Sequence, residues 1–365
     1  MDNKKSITIA TLGSHSALDV CRGAKDEGFP TLVVCQKGRE RTYGHYFRTQ
    51  GEIGCVDECI ILDKFSDILD KKIQKKLLDK NAVFIPNRSF EAYLRFDYDA
   101  IENDFKVPVF GNKYLLRIEE RGYHPNQYEL LDNARIRYPK QFTDPKKIDR
   151  VCLVKVLEQN RGFERAFFLT DSFEDYTSQV EEKLKKGDFT QELLSKAVIE
   201  EFIVGVQVNF NFFYSPVNER LELLGTDTRR QTNFEGITRL PADYQTEVLK
   251  KVPIKYEEAG HIAVTVLESM LEDAFAMGER FVAASQTLTP PGIIGPFALQ
   301  SIITPGPPKK DIIVIDVSPR VPGSPGIAAT PYGKYLFGES ISVGKRIAIE
   351  IKEAYKRNLL NKILT

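Results

Sequence analysis

Between residues 7 and 110 the chain alternates short β-type runs with amphipathic helical stretches, and that alternation leaves few folds open to it. Residues 7–12, 31–35, 59–62, 82–86 and 107–110 are brief and rich in branched apolar side chains. Between them, 17–25 and 68–78 repeat apolar residues three and four apart, the period of a helix with one buried face. The pattern predicts a parallel sheet with helices on its faces. Ligands of such sheets bind beyond the C-terminal strand ends. Two turns are placed there: Gly13-Ser14-His15-Ser16 after the first strand and Asn87-Arg88-Ser89 after the fourth. Backbone N–H groups at a helix start suit an anion. Equally, Ser14 or Ser16 could cap the first helix and Ser89 the next.

Beyond residue 121 the pattern changes. A stretch rich in Arg, Tyr, Asn and Pro (121–138) reads as a linker. Antiparallel-type strands follow at 151–156, 166–169, 198–203, 207–214 and 221–226, with a helix at 172–186. A long helical pattern at 259–285 precedes two closing strands, 297–303 and 311–317. Lys140 and Lys155 lie in apolar surroundings, where an ammonium group is costly unless an anion answers it. A polar, Gly-containing loop at 159–162 comes next. Glu200, Glu201, Phe202 and Ile203 offer carboxylates, an apolar wall and backbone groups that suit an adenine edge, with Gln207 placed to reach a ribose. Arg229 and Arg230 read either as a surface ion-pair site or as contacts to a transferring phosphoryl group. Asp316, Ser318 and Arg320 share a strand face through the two-residue period, and Gln300 on the preceding strand faces them. Such a set suits Mg2+ and phosphates; a structural aspartate is the competing reading.

Taken in order, lysine, lysine, loop, Glu-Glu hinge and paired metal strands, these parts resemble the ATP-grasp ligases. Thr11-Leu-Gly-Ser-His15-Ser, Glu200-Glu-Phe-Ile-Val-Gly, Asp227-Thr-Arg-Arg with Asn233, Gly295-Pro-Phe-Ala-Leu-Gln300 and Asp316-Val-Ser-Pro-Arg320 together resemble one archaeal family of that group. It is the formate-dependent 5-formaminoimidazole-4-carboxamide ribonucleotide (FAICAR) synthetases of purine (IMP) biosynthesis. The resemblance implies an α/β ATP-grasp fold: a Rossmann-like substrate domain over 1–123, a small lobe over 124–204 and a large lobe with the metal site over 205–365. It implies ATP, formate and the aminoimidazole ribonucleotide AICAR as ligands, Mg2+ or Mn2+ as metal, a homo-oligomer (trimer or hexamer) and a cytoplasmic setting. His15, Ser16, Ser89 and Asn233 match AICAR contacts. Glu200, Glu201, Ile203 and Gln207 match the ATP hinge, with Lys140, Lys155 and Phe202 as further candidates for ATP, and Gln300 and Asp316 match the metal positions, with Ser318 a candidate on the same face. Arg229, Arg230 and Arg320 are the candidates for stabilising charge during catalysis.

The chain departs from the family at three places. Gln300 stands where the family has Glu, Asp316 replaces a second Glu, and Pro-Asn-Arg precedes Ser89 where Pro-His-Gly is usual. These departures leave two alternatives open: an ATP-grasp ligase for another carboxylate and amine, and a nucleotide-binding paralogue without catalysis. Lys+Arg and Asp+Glu balance at 51 each, so no global field favours nucleic acid or an anionic membrane. No uninterrupted apolar run reaches membrane-spanning length. The five cysteines contain no C-x-x-C pair and read as reduced thiols.

Overall fold

The computed structural model describes residues 6–120, 122–156, 167–306 and 308–365. The loop expected at 159–162 lies outside the described residues. Strands β1 (Thr8–Leu12), β2 (Thr31–Gln36), β3 (Glu58–Leu62) and β4 (Ala82–Ile85) form a parallel sheet in the order β3-β2-β1-β4. β1 and β4 are buried at every position, as parallel strands covered on both faces must be. The expected fifth strand is reduced to a bridge between Phe84 and Val109.

One covering helix, Ala17–Asp26, meets the C-terminal helix Val343–Lys356 backbone to backbone. A Cβ on Gly23 would lie 2.1 Å from the Lys345 nitrogen, and one on Gly344 would lie 2.1 Å from the Asp19 oxygen. Gly344 N–H also donates to the Asp19 carboxylate at 2.8 Å. The N-terminal sheet is thereby fixed against the end of the chain, and both share a core that includes Ile9, Val20, Phe110, Phe213 and Ile347.

A small antiparallel sheet has the order β5-β8-β6-β7, built from β5 (Gln141–Phe142), β6 (Cys152–Lys155), β7 (Phe167–Thr170) and β8 (Val198–Glu201). The helix Phe173–Lys186 packs Tyr176, Val180 and Leu184 against its core of Phe142, Val154, Phe168 and Ile199. The stretch at 121–138 is more than a linker. It holds the helix Gln127–Asn133, whose first turn is capped by Asn126 accepting from Tyr128 N and Glu129 N.

The large sheet is antiparallel, in the order β11-β10-β9-β12-β13: β9 (Val206–Ser215), β10 (Arg220–Thr232), β11 (Tyr256–Val264), β12 (Gly295–Thr304) and β13 (Asp311–Ser318). One face, with Phe210, Phe212, Phe297 and Leu299, packs on Met277 and Phe281 of the helix Leu271–Leu288. The helix expected at 259–285 is therefore corrected: its first part is a strand. Ala259, Ala263 and Val266 have helical spacing, but Ile262 and Val264 are β-branched and pair across β10 with Thr228 and Thr226. Ladder formation overrides the local period. All five cysteines are free, and among the described residues no helix is long and apolar enough to cross a membrane.

The helix crossing generates a prediction. Gly344→Ala forces two backbones apart and should destabilise the protein by about 2 kcal/mol or more, the scale of overpacking a tight contact. Gly326→Ala, where nothing lies within 4 Å, serves as the near-neutral control. Urea midpoints that move equally little for both variants would refute the close crossing.

Candidate functional site

Side chains alternate between the two faces of a strand, so the face of β9 opposite the aromatic core is readable in steps of two. Phe213 packs into the core shared with the N-terminal sheet, and Asn211, Asn209 and Gln207 follow toward the open end. Registers across the sheet then align one row: Asp316 opposite Gln300, Gln300 opposite Asn209, and Asn209 opposite Asp227. The expectation that Gln300 and Asp316 stand together is met by this pairing. Ser318 joins them, its hydroxyl accepting from the Gln300 amide at 3.2 Å. Asn209 Oδ1 is buried and has no hydrogen-bond partner among the described residues.

Asp227 anchors the next part of the site. Its carboxylate is buried and accepts from the Asn209 amide at 3.0 Å and the Asn211 amide at 2.7 Å. A third partner is His261 Nδ1 at 2.5 Å. His261 lies on β11 directly opposite Arg229, and its Nε2 faces Glu258 Oε1 at 3.0 Å. Burial alone would favour the neutral ring, but hydrogen bonds to Asp227 and Glu258 outweigh it and push the His261 pKa up to about 9. The hydrogen bond from His261, with Arg229 adding its charge, holds Glu258 down at about 2 against burial. Arg229 approaches Glu258 at 3.5 Å, while its Nε is buried without a hydrogen-bond partner among the described residues. Arg230 points to the other face and pairs with Glu235 at 2.8 Å, so the two arginines do not act as a unit.

His15 completes this cluster from the N-terminal sheet. The ligating atoms of His15, Glu258 and His261 all lie within 4.8 Å of one another. His15 also presses on the backbone of Gly323, where a Cβ would fall 2.0 Å from Nε2. Burial first, and Arg320 next, lower its pKa, so the ring is neutral at pH 7. The turn carrying His15 is held by Asn87, whose amide donates to Leu12 O at 3.1 Å and His15 O at 3.0 Å. The cap of the helix at Arg88–Tyr93 is Asn87 rather than Ser89, its side chain accepting from Phe90 N; Ser16 occupies the N-cap position of Ala17–Asp26 but makes no side-chain capping bond, its Oγ donating to Pro322 O at 2.8 Å. Ser89 instead donates to Ser14 Oγ at 2.7 Å, which joins the two predicted turns in one crevice. Asn233 sits apart from these contacts. Its amide donates to Pro253 O at 3.1 Å and its oxygen accepts from Lys255 N at 2.8 Å.

The expected nucleotide hinge lies at the end of β8. The anions that answer the two lysines are the protein's own: Lys155 pairs with buried Glu200, and Lys140 with Asp149 at 3.4 Å just before β5. Glu200 accepts in addition from Tyr128 Oη at 3.1 Å, and Glu201 from Arg150 at 3.1 Å. Glu201 N and Phe202 N already donate to Lys140 O and Val151 O, so they are not the backbone donors an adenine would use. Phe202 and Val204 are exposed, Ile203 is half-buried, and Gln207 pairs in register with Ile302 at the start of β9.

Arg320 lies past the end of β13 and is buried. It donates to Glu91 at 3.2 Å and Glu119 at 2.9 Å, with Arg88 also within 3.2 Å of Glu119. Its charge is committed to this cluster, so the period-two extrapolation from Asp316 through Ser318 does not carry Arg320 into the row.

Sequence reasoning missed His261, Glu258, Asn209 and Asn211 in this cluster, and quoted Asp227 in a motif without giving it a role. The signal for the asparagines was present: three polar residues two apart, Gln207, Asn209 and Asn211, between large apolar ones. His261 was hidden by reading its strand as helix.

Two family models match the chain: a protein of unknown function (DUF1246) over residues 9–142 and a domain of unknown function (DUF1297) over residues 175–365. The 5-formaminoimidazole-4-carboxamide-1-(beta)-D-ribofuranosyl 5'-monophosphate synthetase of Methanothermobacter thermautotrophicus is 38% identical over 365 residues, covering 100% of this chain and 96% of that protein. The crystal structure of an IMP biosynthesis protein PurP from Thermococcus kodakaraensis superposes with a TM-score of 0.70 at 28% identity, covering 98% of this chain and 100% of that one. The biotin carboxylase domain of Hydrogenobacter thermophilus 2-oxoglutarate carboxylase, solved with MgADP, superposes with a TM-score of 0.60 at 13% identity, covering 94% and 69%. That last likeness establishes the ATP-grasp fold alone.

The placement of Arg320 is testable. Arg320→Met strands Glu91 and Glu119 in the interior and should cost about 3–5 kcal/mol, the penalty for breaking a buried charge cluster. Arg230→Met removes only an exposed pair and should change stability by about 1 kcal/mol or less. Equal denaturation midpoints for the two variants would contradict a structural role for Arg320.

Proposed function

The chain belongs to the 5-formaminoimidazole-4-carboxamide ribonucleotide synthetase family, ATP-grasp ligases that form a C–N bond at the expense of ATP, and from that premise we propose that it formylates AICAR with formate. Formate attacks the γ-phosphoryl group of ATP to give formyl phosphate and ADP. The AICAR amine then attacks the formyl carbon, releasing inorganic phosphate and FAICAR. One observation supports this reading above the others: His15, on the turn that Ser14 joins to Ser89, has its ring nitrogen within 4.8 Å of Glu258 and His261, beside the strand row that bears Arg229, Asp227, Gln300 and Asp316. An acyl phosphate made over that face would meet an amine held in the crevice.

The protein's work on this reading is positioning and charge neutralisation. Residues 1–123 hold the ribonucleotide, with His15, Ser16 and Ser89 as contacts and Asn233 reaching it only if its ties to Pro253 and Lys255 give way. Residues 124–204 and 205–365 enclose ATP between them. The exposed apolar edge of Phe202, with Ile203, lines the adenine, and Gln207 reaches the ribose. Lys140 and Lys155 exchange their carboxylate partners for phosphates, and buried, unpartnered Arg229 Nε supplies a donor for the transferring group. The donor set of the row fits a hard divalent cation: the Asp316 carboxylate, the Gln300 amide oxygen and the orphaned Asn209 Oδ1 are all oxygens. Bound there, Mg2+ or Mn2+ would neutralise charge on the phosphates. A cytoplasmic homo-oligomer, trimer or hexamer, completes the proposal.

Two measurements test it. ADP release by the purified protein with ATP and Mg2+ should require formate and AICAR together; release that ignores AICAR, or none at all, would transfer the assignment to another ligase or to a non-catalytic nucleotide-binding protein. Asp316→Asn removes the carboxylate of the row and should lower turnover by about 100-fold or more, as loss of a group that stabilises transition-state charge does. Gln300→Glu adds one and should tighten the metal, read as a lower Mg2+ concentration at half-maximal rate.

A further inference from the structure

His261, Glu258 and Asp227 have no part in binding ATP, metal or ribonucleotide as assigned above, yet they occupy the junction between the ribonucleotide crevice and the phosphate-bearing face. Their arrangement is built rather than incidental. Asp227 is buried and fixed by two asparagine amides, and it orients His261 through Nδ1 at 2.5 Å. His261 in turn presents Nε2 to Glu258 at 3.0 Å. Glu258 stands between that imidazole, Arg229 and His15. Both ring nitrogens of His261 face carboxylates, so both donate, and the ring is an imidazolium.

We propose that Glu258 accepts the proton which the ribonucleotide amine loses as the C–N bond forms, and that His261, oriented by Asp227, is the positioning residue that holds Glu258 to that task. The proposal rests on the ligase reading above. The amine lone pair forms the new bond to the formyl carbon of formyl phosphate. The N–H bond breaks and its proton goes to a Glu258 carboxylate oxygen. The C–O bond to phosphate breaks, and its electron pair leaves with inorganic phosphate. Glu258 then returns the proton to solvent. A weak base is sufficient here. The nitrogen being deprotonated carries an aromatic ring and a forming acyl bond, which makes its N–H strongly acidic.

The position of the cluster explains why a carboxylate rather than His15 takes this role. His15 is packed on Gly323 and lies next to Arg320 and the His261 cation, surroundings that disfavour a second positive charge. Glu258 is the anion among them. Arg229 keeps its buried Nε unpartnered beside it, a donor left for the acyl phosphate oxygen.

The test separates acyl phosphate formation from formyl transfer in the full-length protein. Glu258→Gln should reduce FAICAR formation by about 100-fold or more, the usual contribution of a general base. Its ATP- and formate-dependent formyl phosphate, trapped by hydroxylamine as formyl hydroxamate, and its affinity for AICAR should stay within about threefold of wild type; Glu258→Asp should recover part of the loss. His261→Gln should reduce transfer by roughly 10- to 100-fold, the effect of a misplaced catalytic group. It should also alter the pH profile. The His261 cation, faced by Asp227 and Arg229 from β10, Glu258 from β11 and His15 from the crevice, is present below about pH 9 and lost above it. Wild-type transfer should therefore decline through that range, and the variant should lack the decline. An active wild type alongside a Glu258→Gln variant that transfers formyl normally overturns the proposal alone. Loss of hydroxamate and AICAR affinity together with transfer also overturns it, in favour of a structural role. Stoichiometric Zn2+ binding that His261→Gln abolishes overturns it in favour of a metal site. A wild type that never forms FAICAR overturns the ligase reading and this proposal with it.

Discussion

The carboxylate of Asp227 is the interaction on which the site depends. It is buried, and a buried charge survives only when donors replace the water it gave up. Three do so, from the two strands that flank β10: Asn209 and Asn211 on β9 and His261 on β11, around Asp227 on β10. The same contacts therefore fix the relative orientation of the three strands and the side chains they display. Asn209, with one amide hydrogen spent on Asp227, is left with its oxygen unpaired in the row of Gln300 and Asp316. His261, with Nδ1 spent, is left with Nε2 aimed at Glu258. One anchor thus orients both Asn209 in the row and His261 toward Glu258.

That sheet would be of little use without the crevice opposite it, and the crevice is located by contacts far from the chemistry. Gly23 and Gly344 allow the first and last long helices to touch along their backbones. Arg320 follows β13 directly and binds Glu91 and Glu119, so the end of a large-sheet strand is tied to the N-terminal unit. His15 lies beside this tie and against Gly323, a few residues farther along the same segment. The spacing between the His15 turn and the row of Asp227, Gln300 and Asp316 is therefore set by two buried contacts.

Much of the architecture could be read in the residues, and the failures have physical causes. The parallel sheet was legible because buried strands are continuous apolar runs punctuated by amphipathic helices. Gln300 and Asp316 were legible because polar residues inside apolar strands are costly without a purpose. β11 was not, because the spacing of Ala259, Ala263 and Val266 satisfies a helix as well as a strand, and only pairing with β10 decides between them. Arg320 was misplaced because the period-two rule ends where the strand ends, at Ser318. The lysines were read as awaiting phosphate, since the partners that satisfy them, Glu200 and Asp149, are distant in sequence or exposed. Arg229 and Arg230 look alike in sequence and face opposite ways in the sheet.

The change at position 300 has a consequence for how the row is assembled. Gln300 and Asp316 are directly opposed on neighbouring strands, where two like charges repel. A carboxylate at 300 would raise the cost of folding this buried corner in the absence of a cation, because both charges would need an answering one. Gln300 removes that repulsion, and its amide donates to Ser318, which replaces the charge with a neutral hydrogen bond. The cost falls on cation affinity, which loses one negative ligand while keeping its oxygen. On the proposed assignment the nucleotide's phosphates would supply that missing charge, so that a cation would bind the row chiefly as part of a metal–nucleotide complex.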